Sequence, residues 1–375
     1  MREKAKINPL RLQRMLVSGI TEATPNCGGS ARRAGPAEEI HVSSLRGFVW
    51  SAAVIRPKWL VYAGAVGATF GAASALNSAT AYADAGDPLA GSDTAIILGG
   101  TGEPMPSTEF AQAAEDLYLH PLGFDGGATD STVCDMVGTD PCAAPLQVLN
   151  TPELFQQGPS SLTDADDVVL AVENEFKADP GAFSADHPLT IFGYSQSASA
   201  ESIAMSRLEA DGIPSDDLHF VFIGDPSTPV TGEWLDMQSI LDSTLGASTT
   251  NYLINLFQMS SVLGTVTPDD LYPATIYSFD ADPIANFPQA VQSDGVTGAL
   301  LNTFGTHVEY LGLTPQQIAD ATTSTDGDLT FINISDSGVN NVDAWLTALL
   351  EHGVADSGPL QAVFQSLELW FFNTF

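Results

Sequence analysis

"LTIFGYSQSASAES", Leu189 to Ser202, is the stretch whose reading decides the fold. Leu189 to Phe192 has the composition of a short buried strand. Gly193-Tyr194-Ser195 interrupts it, and Ala200, Ile203, Ala204 and Leu208 then recur at helical spacing until Gly212 and Pro214 stop the pattern. A strand, a sharp turn and a helix with a serine at the apex form a nucleophile elbow, in which the turn lifts the hydroxyl above the sheet. The helix N-terminus that follows favours developing negative charge. Gly193 gives the turn room, while Ser197 stands where the usual G-x-S-x-G pattern has its second glycine. The expectation is a nucleophilic Ser195, with the N–H of Gln196 as one donor to an oxyanion.

A serine hydroxyl needs a base to take its proton and an acid to orient that base. Three histidines follow Ser195. His219 starts a strand, at the end remote from the chemistry, and His352 in "LLEHGV" reads as a helix-ending residue. His307, in "NTFGTHVEY", falls in a loop after the last expected sheet strand, "ATIYSFD", and is the expected base. For the acid, Asp282 in "FDADPIANFP" leads, with Asp280 on the same turn and Asp225 in "FIGDP" as alternatives. The loop "GGTGEPMPS" follows the strand "TAIIL" and is expected to supply a second oxyanion donor from Gly100, Thr101 or Gly102. It lacks the Lys-Ser/Thr of a phosphate loop and the spacing of a dinucleotide fingerprint. No metal or organic cofactor is required by such a site.

Around these motifs the chain alternates strands and helices. Strands are expected at Thr94–Leu98, Leu189–Phe192, His219–Pro226 and Ala274–Asp280. Phe110, Ala113, Ala114, Leu117 and Tyr118 mark one helix face. "TDADDVVLAVENEFKADPG" reads as a helix opening on a capping box, Thr163 to Asp166. This alternation predicts an α/β fold: a doubly wound, mostly parallel sheet in one domain over 84–375. The apolar segment at about 228–272 is expected to form a helical cap. The aromatic tail "LQAVFQSLELWFFNTF" is expected to pack as a last helix, the alternative being a lipid-facing surface.

Charge is distributed very unevenly over the 375 residues. All but two of the 12 Lys and Arg precede Trp59, and all but four of the 46 Asp and Glu follow Ala83. Such an acidic body repels nucleic acid and anionic membrane surfaces, and points to neutral or apolar substrates. The basic flank Arg56 and Lys58, the uncharged run from Leu60 to Leu76 and the small-x-small Ala81-Tyr82-Ala83 have the grammar of an export signal within a leader at 1–83. The same segment, about 59–83, read as an uncleaved anchor, would bring membrane contact. Cys134 and Cys142, eight positions apart in a Gly/Pro/Asp loop, are expected to form a disulfide in an exported protein.

"GGTGEPMPS", "NTPE" (Asn150–Glu153), "GYSQSA", "GDPSTP", "DPIANFP" and "LNTFGTHVEY" occur in this order and resemble the PE-PPE domain. This is an actinobacterial, mainly mycobacterial, α/β-hydrolase family related to cutinases. The resemblance runs from about Asp93 to Leu313. It implies a secreted or cell-envelope serine esterase acting on acyl esters, including envelope lipids. By motif it sets the nucleophile at Ser195, the acid at Asp282 and the base at His307. Some members of the family move acyl groups between trehalose glycolipids, so acyl transfer is an alternative to hydrolysis. A non-catalytic envelope interaction protein on the same scaffold is a further one. The helical PE or PPE module that often precedes the domain is replaced by the signal-like leader. Asn286 replaces a second Asp usual in the "DPIANFP" element, which favours Asp282 as the acid.

Overall fold

The structure is a computed structural model in which residues 87–126, 131–303 and 305–354 are described. The leader, its apolar segment at 59–83 and the aromatic tail lie outside the described residues.

Among the described residues eight strands form one sheet: β1 (Ala95–Ile97), β2 (Val133–Asp135), β3 (Leu146–Val148), β4 (Leu189–Tyr194), β5 (Leu218–Ile223), β6 (Ala274–Phe279), β7 (Thr322–Asp326) and β8 (Leu329–Ile334). Their order is β2-β3-β1-β4-β5-β6-β8-β7, parallel throughout except for the β7–β8 hairpin. Every residue of β1, β4, β5 and β6 is buried. This accounts for their unbroken apolar runs, since a parallel sheet is covered on both faces.

Alternate strand residues feed two cores. On one face Ile97, Phe192, Tyr194, Val221 and Tyr277 pack beneath α1 (Thr108–Ala114), the π turn Glu115–Leu119 that continues it, and the 3-10 helix Thr306–Gly312. On the other, Ile96, Ile191, Phe220, Phe222 and Ile276 meet α2 (Gln157–Ala178) and α3 (Gln196–Asp211). Phe192, Phe220 and Phe222 have no exposed surface, so truncating any one to Ala costs about 3–5 kcal/mol.

The chain leaves β1 towards β3 and leaves β4 towards β5. The carboxyl ends of β1 and β4 therefore form a topological switch point, where open α/β sheets bind ligands. The Gly-rich loop and Ser195 both emerge there.

Between β5 and β6 stand α4 (Glu233–Leu245) and α5 (Ala247–Leu256), and α6 (Phe287–Asn302) follows β6. Trp234, Met237, Leu241, Ile254, Phe287 and Val296 from all three helices share a third apolar core. The helical cap thus draws on α6 as well as on the segment at 228–272. Among the described residues no helix is long and apolar enough to cross a membrane.

Three expectations are corrected. Helix α2 starts at Gln157 instead of at the Thr163 box. Pro159 is tolerated in its first turn, where no helical acceptor awaits the missing N–H, and Thr163 turns its hydroxyl back to Pro159 O at 3.0 Å. "ATIYSFD" is not the last strand, because β7 and β8 follow α7 (Pro315–Ala319) and β8 pairs directly with β6. The region from His120 to Ser161, whose sequence reads as loop-rich, also contains β2 and β3. Helix α8 (Asn341–Leu350) ends the described chain. Cys134 on β2 and Cys142 form the expected disulfide, their Cα atoms 6.3 Å apart.

Candidate active site

Ser195 separates β4 from α3 at φ 59°, ψ −113°, a conformation that non-glycine residues adopt only under constraint. Its own N–H donates to Ile223 O at 3.0 Å on β5. A β-carbon at Gly193 would lie 2.9 Å from Ala198 N and 2.5 Å from Glu201 Oε1, so only glycine fits beneath the turn. Ser197 stitches the elbow instead of merely fitting into it. Its hydroxyl accepts Tyr194 N–H at 2.8 Å and donates to Tyr194 O at 3.1 Å. Two hydrogen bonds across the turn explain why serine is accepted where a glycine is usual.

His307 sits on the 3-10 helix Thr306–Gly312, and Asp282 on the turn after β6. His307 Nε2 lies 2.8 Å from Ser195 Oγ, while Nδ1 lies 2.9 Å from Oδ2 and 3.1 Å from Oδ1 of Asp282. With the Nδ1 proton donated to the carboxylate, Nε2 is left to accept the serine hydroxyl. Asp282 is fully buried but well supplied with donors: Ile284 N–H at 2.8 Å and Tyr310 O–H at 2.8 Å. The carbonyl of His307 accepts the hydroxyl of Tyr194. Residues separated by 112 positions in sequence thus meet in one hydrogen-bonded line.

The alternative acids lie elsewhere. Asp225 is engaged with Ser227 N–H at 2.8 Å and Thr267 O–H at 2.7 Å, and burial pushes its carboxyl up to about 6. It ties the start of the cap to its end. Asp280 is exposed, and its N–H donates to Ile334 O. Of the other histidines, His219 pairs with Thr275 Oγ1 at 3.0 Å inside the sheet, and His352 with the carbonyl of Leu311.

The Gly-rich loop is pinned beside the elbow. Gly102 N–H donates to Glu153 O at 2.7 Å, so this member of the candidate trio is engaged. Gly100 lies so close that its β-carbon would stand 3.2 Å from Ser195 Cβ. Thr101 donates its hydroxyl to Gln196 Oε1 at 2.8 Å and accepts from Gln157 Nε2 at 3.0 Å. Behind the loop lie buried acids: burial pushes Asp164 up to about 8 and Glu153 and Glu201 well above the usual carboxylate range. Desolvation disfavours the charged form of each of these carboxyls.

Among the described residues, the one His/Asp/Glu group compact enough to hold a metal ion is Glu115, Asp116 and His120. There Nε2 faces Glu115 at 3.3 Å and Nδ1 faces Asp116 at 3.2 Å, and hydrogen bonds to Asp116 and Glu115 raise the imidazole to about 9. The raised value favours an imidazolium bridging the two carboxylates.

Sequence reading missed Tyr310, Gly224 and Glu153 as parts of the site. Tyr310 stands three residues after His307, one 3-10 turn on, a spacing that places both side chains on one face.

The family model of the PE-PPE domain matches residues 143–339. Esterase PE16 of Mycobacterium tuberculosis (strain ATCC 25618 / H37Rv) is 30% identical over 69% of this chain and 46% of its own length. The PPE family protein PPE28 of the same strain is 28% identical over 67% of this chain and 34% of its own. The chain thus spans less than half the length of either relative. Among solved structures, a cutinase-like protein from Cryptococcus sp. is 14% identical, covering 60% of this chain and 98% of that one, at a TM-score of 0.29. The family match takes in the elbow, the turn carrying Asp282, the helix carrying His307 and the paired strands that align them, and this chain belongs to the PE-PPE domain family.

Proposed function

We propose that the protein is an exported serine carboxylester hydrolase in which Ser195, His307 and Asp282 act as a triad. The carrying observation is the unbroken line Ser195 Oγ–His307 Nε2, 2.8 Å, and His307 Nδ1–Asp282 Oδ2, 2.9 Å. In this reading Ser195 attacks the ester carbonyl as His307 takes its proton, and Asp282 stabilises the imidazolium that results. The N–H groups of Gln196 and of the Gly100–Thr101 segment meet the oxyanion. His307 then protonates the leaving alcohol, and water activated by the same imidazole releases the acid from the acyl-enzyme. The substrate is a neutral acyl ester, in keeping with the acidic body and the apolar cap. Export is supported by the disulfide and by the signal-like leader at 1–83, which would precede a single hydrolase domain at 84–375 with its cap from about 228.

Purified protein should cleave chromogenic short- or medium-chain acyl esters and react with a fluorophosphonate probe. Ser195→Ala should abolish both while leaving the fold intact. Undiminished turnover in that variant would end the proposal, and failure of the wild type to label would favour a non-catalytic envelope role.

Acyl transfer is the second reading, favoured by the shared apolar core of α4, α5 and α6, because exclusion of water helps an alcohol acceptor compete. Incubation with a lipid ester and trehalose separates the two: free acid alone means hydrolysis, whereas acylated sugar means transfer.

A further inference from the structure

Two phenols hold the imidazole–carboxylate pair, and they hold different parts of it. Tyr194 donates to the main-chain carbonyl of His307 and lies alongside the imidazole, ring centroids 5.3 Å apart. Tyr310 reaches the carboxylate itself. Its hydroxyl donates to Asp282 Oδ2 at 2.8 Å and accepts Phe279 N–H at 2.9 Å. That second bond matters, because a main-chain donor aimed at the phenol oxygen leaves its proton to point at Asp282. The ring is fully buried, edge-on to Phe279, Tyr194 and His307, and the carbonyl of Tyr310 accepts Tyr118 O–H at 2.6 Å. The phenol is therefore locked in donor, direction and distance.

We propose that Tyr310 is a positioning residue that fixes the rotamer of Asp282 and sets how much negative charge its carboxylate presents to His307. Among the described residues, Oδ2 faces two donors, Tyr310 O–H and His307 Nδ1–H. Charge drawn to the phenol is withheld from the imidazole, and charge released by the phenol strengthens the bond to it. The inference rests on the reading of Ser195 and His307 as nucleophile and base. The other titratable groups facing this cluster are Glu233 on α4, Glu309 on the same 3-10 helix, and the phenols of Tyr118 and Tyr194. Burial raises Glu233 well above the usual range and Glu309 to about 7.

The test is Tyr310→Phe, paired with 2,3-difluorotyrosine placed at position 310, whose more acidic hydroxyl is a stronger donor. In the Phe variant kcat should fall about tenfold with KM little changed. The acid limb of its rate–pH profile should move to higher pH, because the imidazolium then faces a less shared carboxylate. The fluorinated protein should move that limb the opposite way. NMR titration of the imidazole carbon resonances of His307 should follow the same two directions without reference to turnover. A limb and a titration unchanged in both proteins would overturn the proposal, even if kcat fell, since a merely structural tyrosine would produce that result. If the Phe variant does not fold, the fluorinated protein carries the same test. Should Ser195→Ala retain turnover, the esterase reading fails, and the NMR titration still decides the role of Tyr310.

Discussion

Gly224 stands against the imidazole of His307: a β-carbon added there would lie 2.7 Å from Cε1 and 3.1 Å from Nδ1. Gly224 also adopts φ 59°, which favours glycine on its own account. The end of β5 therefore forms a wall that sets how far the ring can retreat from Ser195. Gly224→Ala should push the ring out of line and lower kcat roughly a hundredfold, since displacements near 1 Å cost about that much. Steady-state kinetics beside a circular dichroism spectrum checks it. Wild-type turnover in a folded Gly224→Ala protein would show that the wall does not matter.

The two buried acids should separate cleanly on substitution. Asp282→Asn keeps the shape of the side chain but favours the wrong imidazole tautomer, so kcat should drop on the order of 10⁴-fold. Asp225→Asn disturbs the bonds to Ser227 and Thr267 and should leave kcat within about tenfold, while costing roughly 1–2 kcal/mol of stability. Kinetics and thermal melts of both variants give the comparison. A reversed pattern would move the acid to Asp225.

The Cys134–Cys142 bridge closes a short loop, its partners eight positions apart in sequence. Constraint of so small a loop is worth about 2–3 kcal/mol through the unfolded chain. Reduction, or replacement of both cysteines by serine, should lower the urea midpoint accordingly and leave kcat nearly unchanged. The bridge fastens β2 at the sheet edge, and the proposed triad lies on other elements.

Buried acids give stability a definite pH trend. Asp164 is raised to about 8 and Glu309 to about 7, each chiefly by burial, so the folded protein keeps protons that the unfolded chain has already released. Stability then falls as pH rises through that interval, by up to about 1.4 kcal/mol per pH unit for each proton involved. His120, raised to about 9, adds a loss of the same sign above its ordinary value of 6.5. His219, lowered to about 4 by burial, acts oppositely but only below 6.5. The melting temperature should therefore decline from pH 6.5 to 8.5, and Asp164→Asn should flatten the slope. A rising melting temperature over that interval would contradict the assignment.

The sheet centre was legible because β4, β5 and β6 write burial on both faces as continuous apolar runs. The elbow was legible because Gly193 and Ser195 have local steric reasons to be where they are. The β7–β8 hairpin was not, although Asp326-Gly327 is a turn signal and Gly327 adopts φ 58°. All five residues of β7 are exposed and polar, so hydrophobic patterning is silent there. The meeting of Asp282 with His307 was ordered by motif, but its choice over Asp225 depends on the direction of two strand ends, which no local pattern encodes. Tyr310 was missed because a tyrosine beside a histidine reads as core until its hydroxyl is seen on the carboxylate.

Strand β1 lies between β3 and β4, yet it precedes the span 143–339 that the family model matches. The Gly-rich loop also precedes that span and is tied back to it by Glu153. The recognisable unit is therefore smaller than the cooperative one. A fragment cut to the matched boundaries would have a slot through the middle of its sheet, with the edges of β3 and β4 left unpaired. Anyone trimming this protein for expression should keep the segment from Asp87 onward, or expect aggregates.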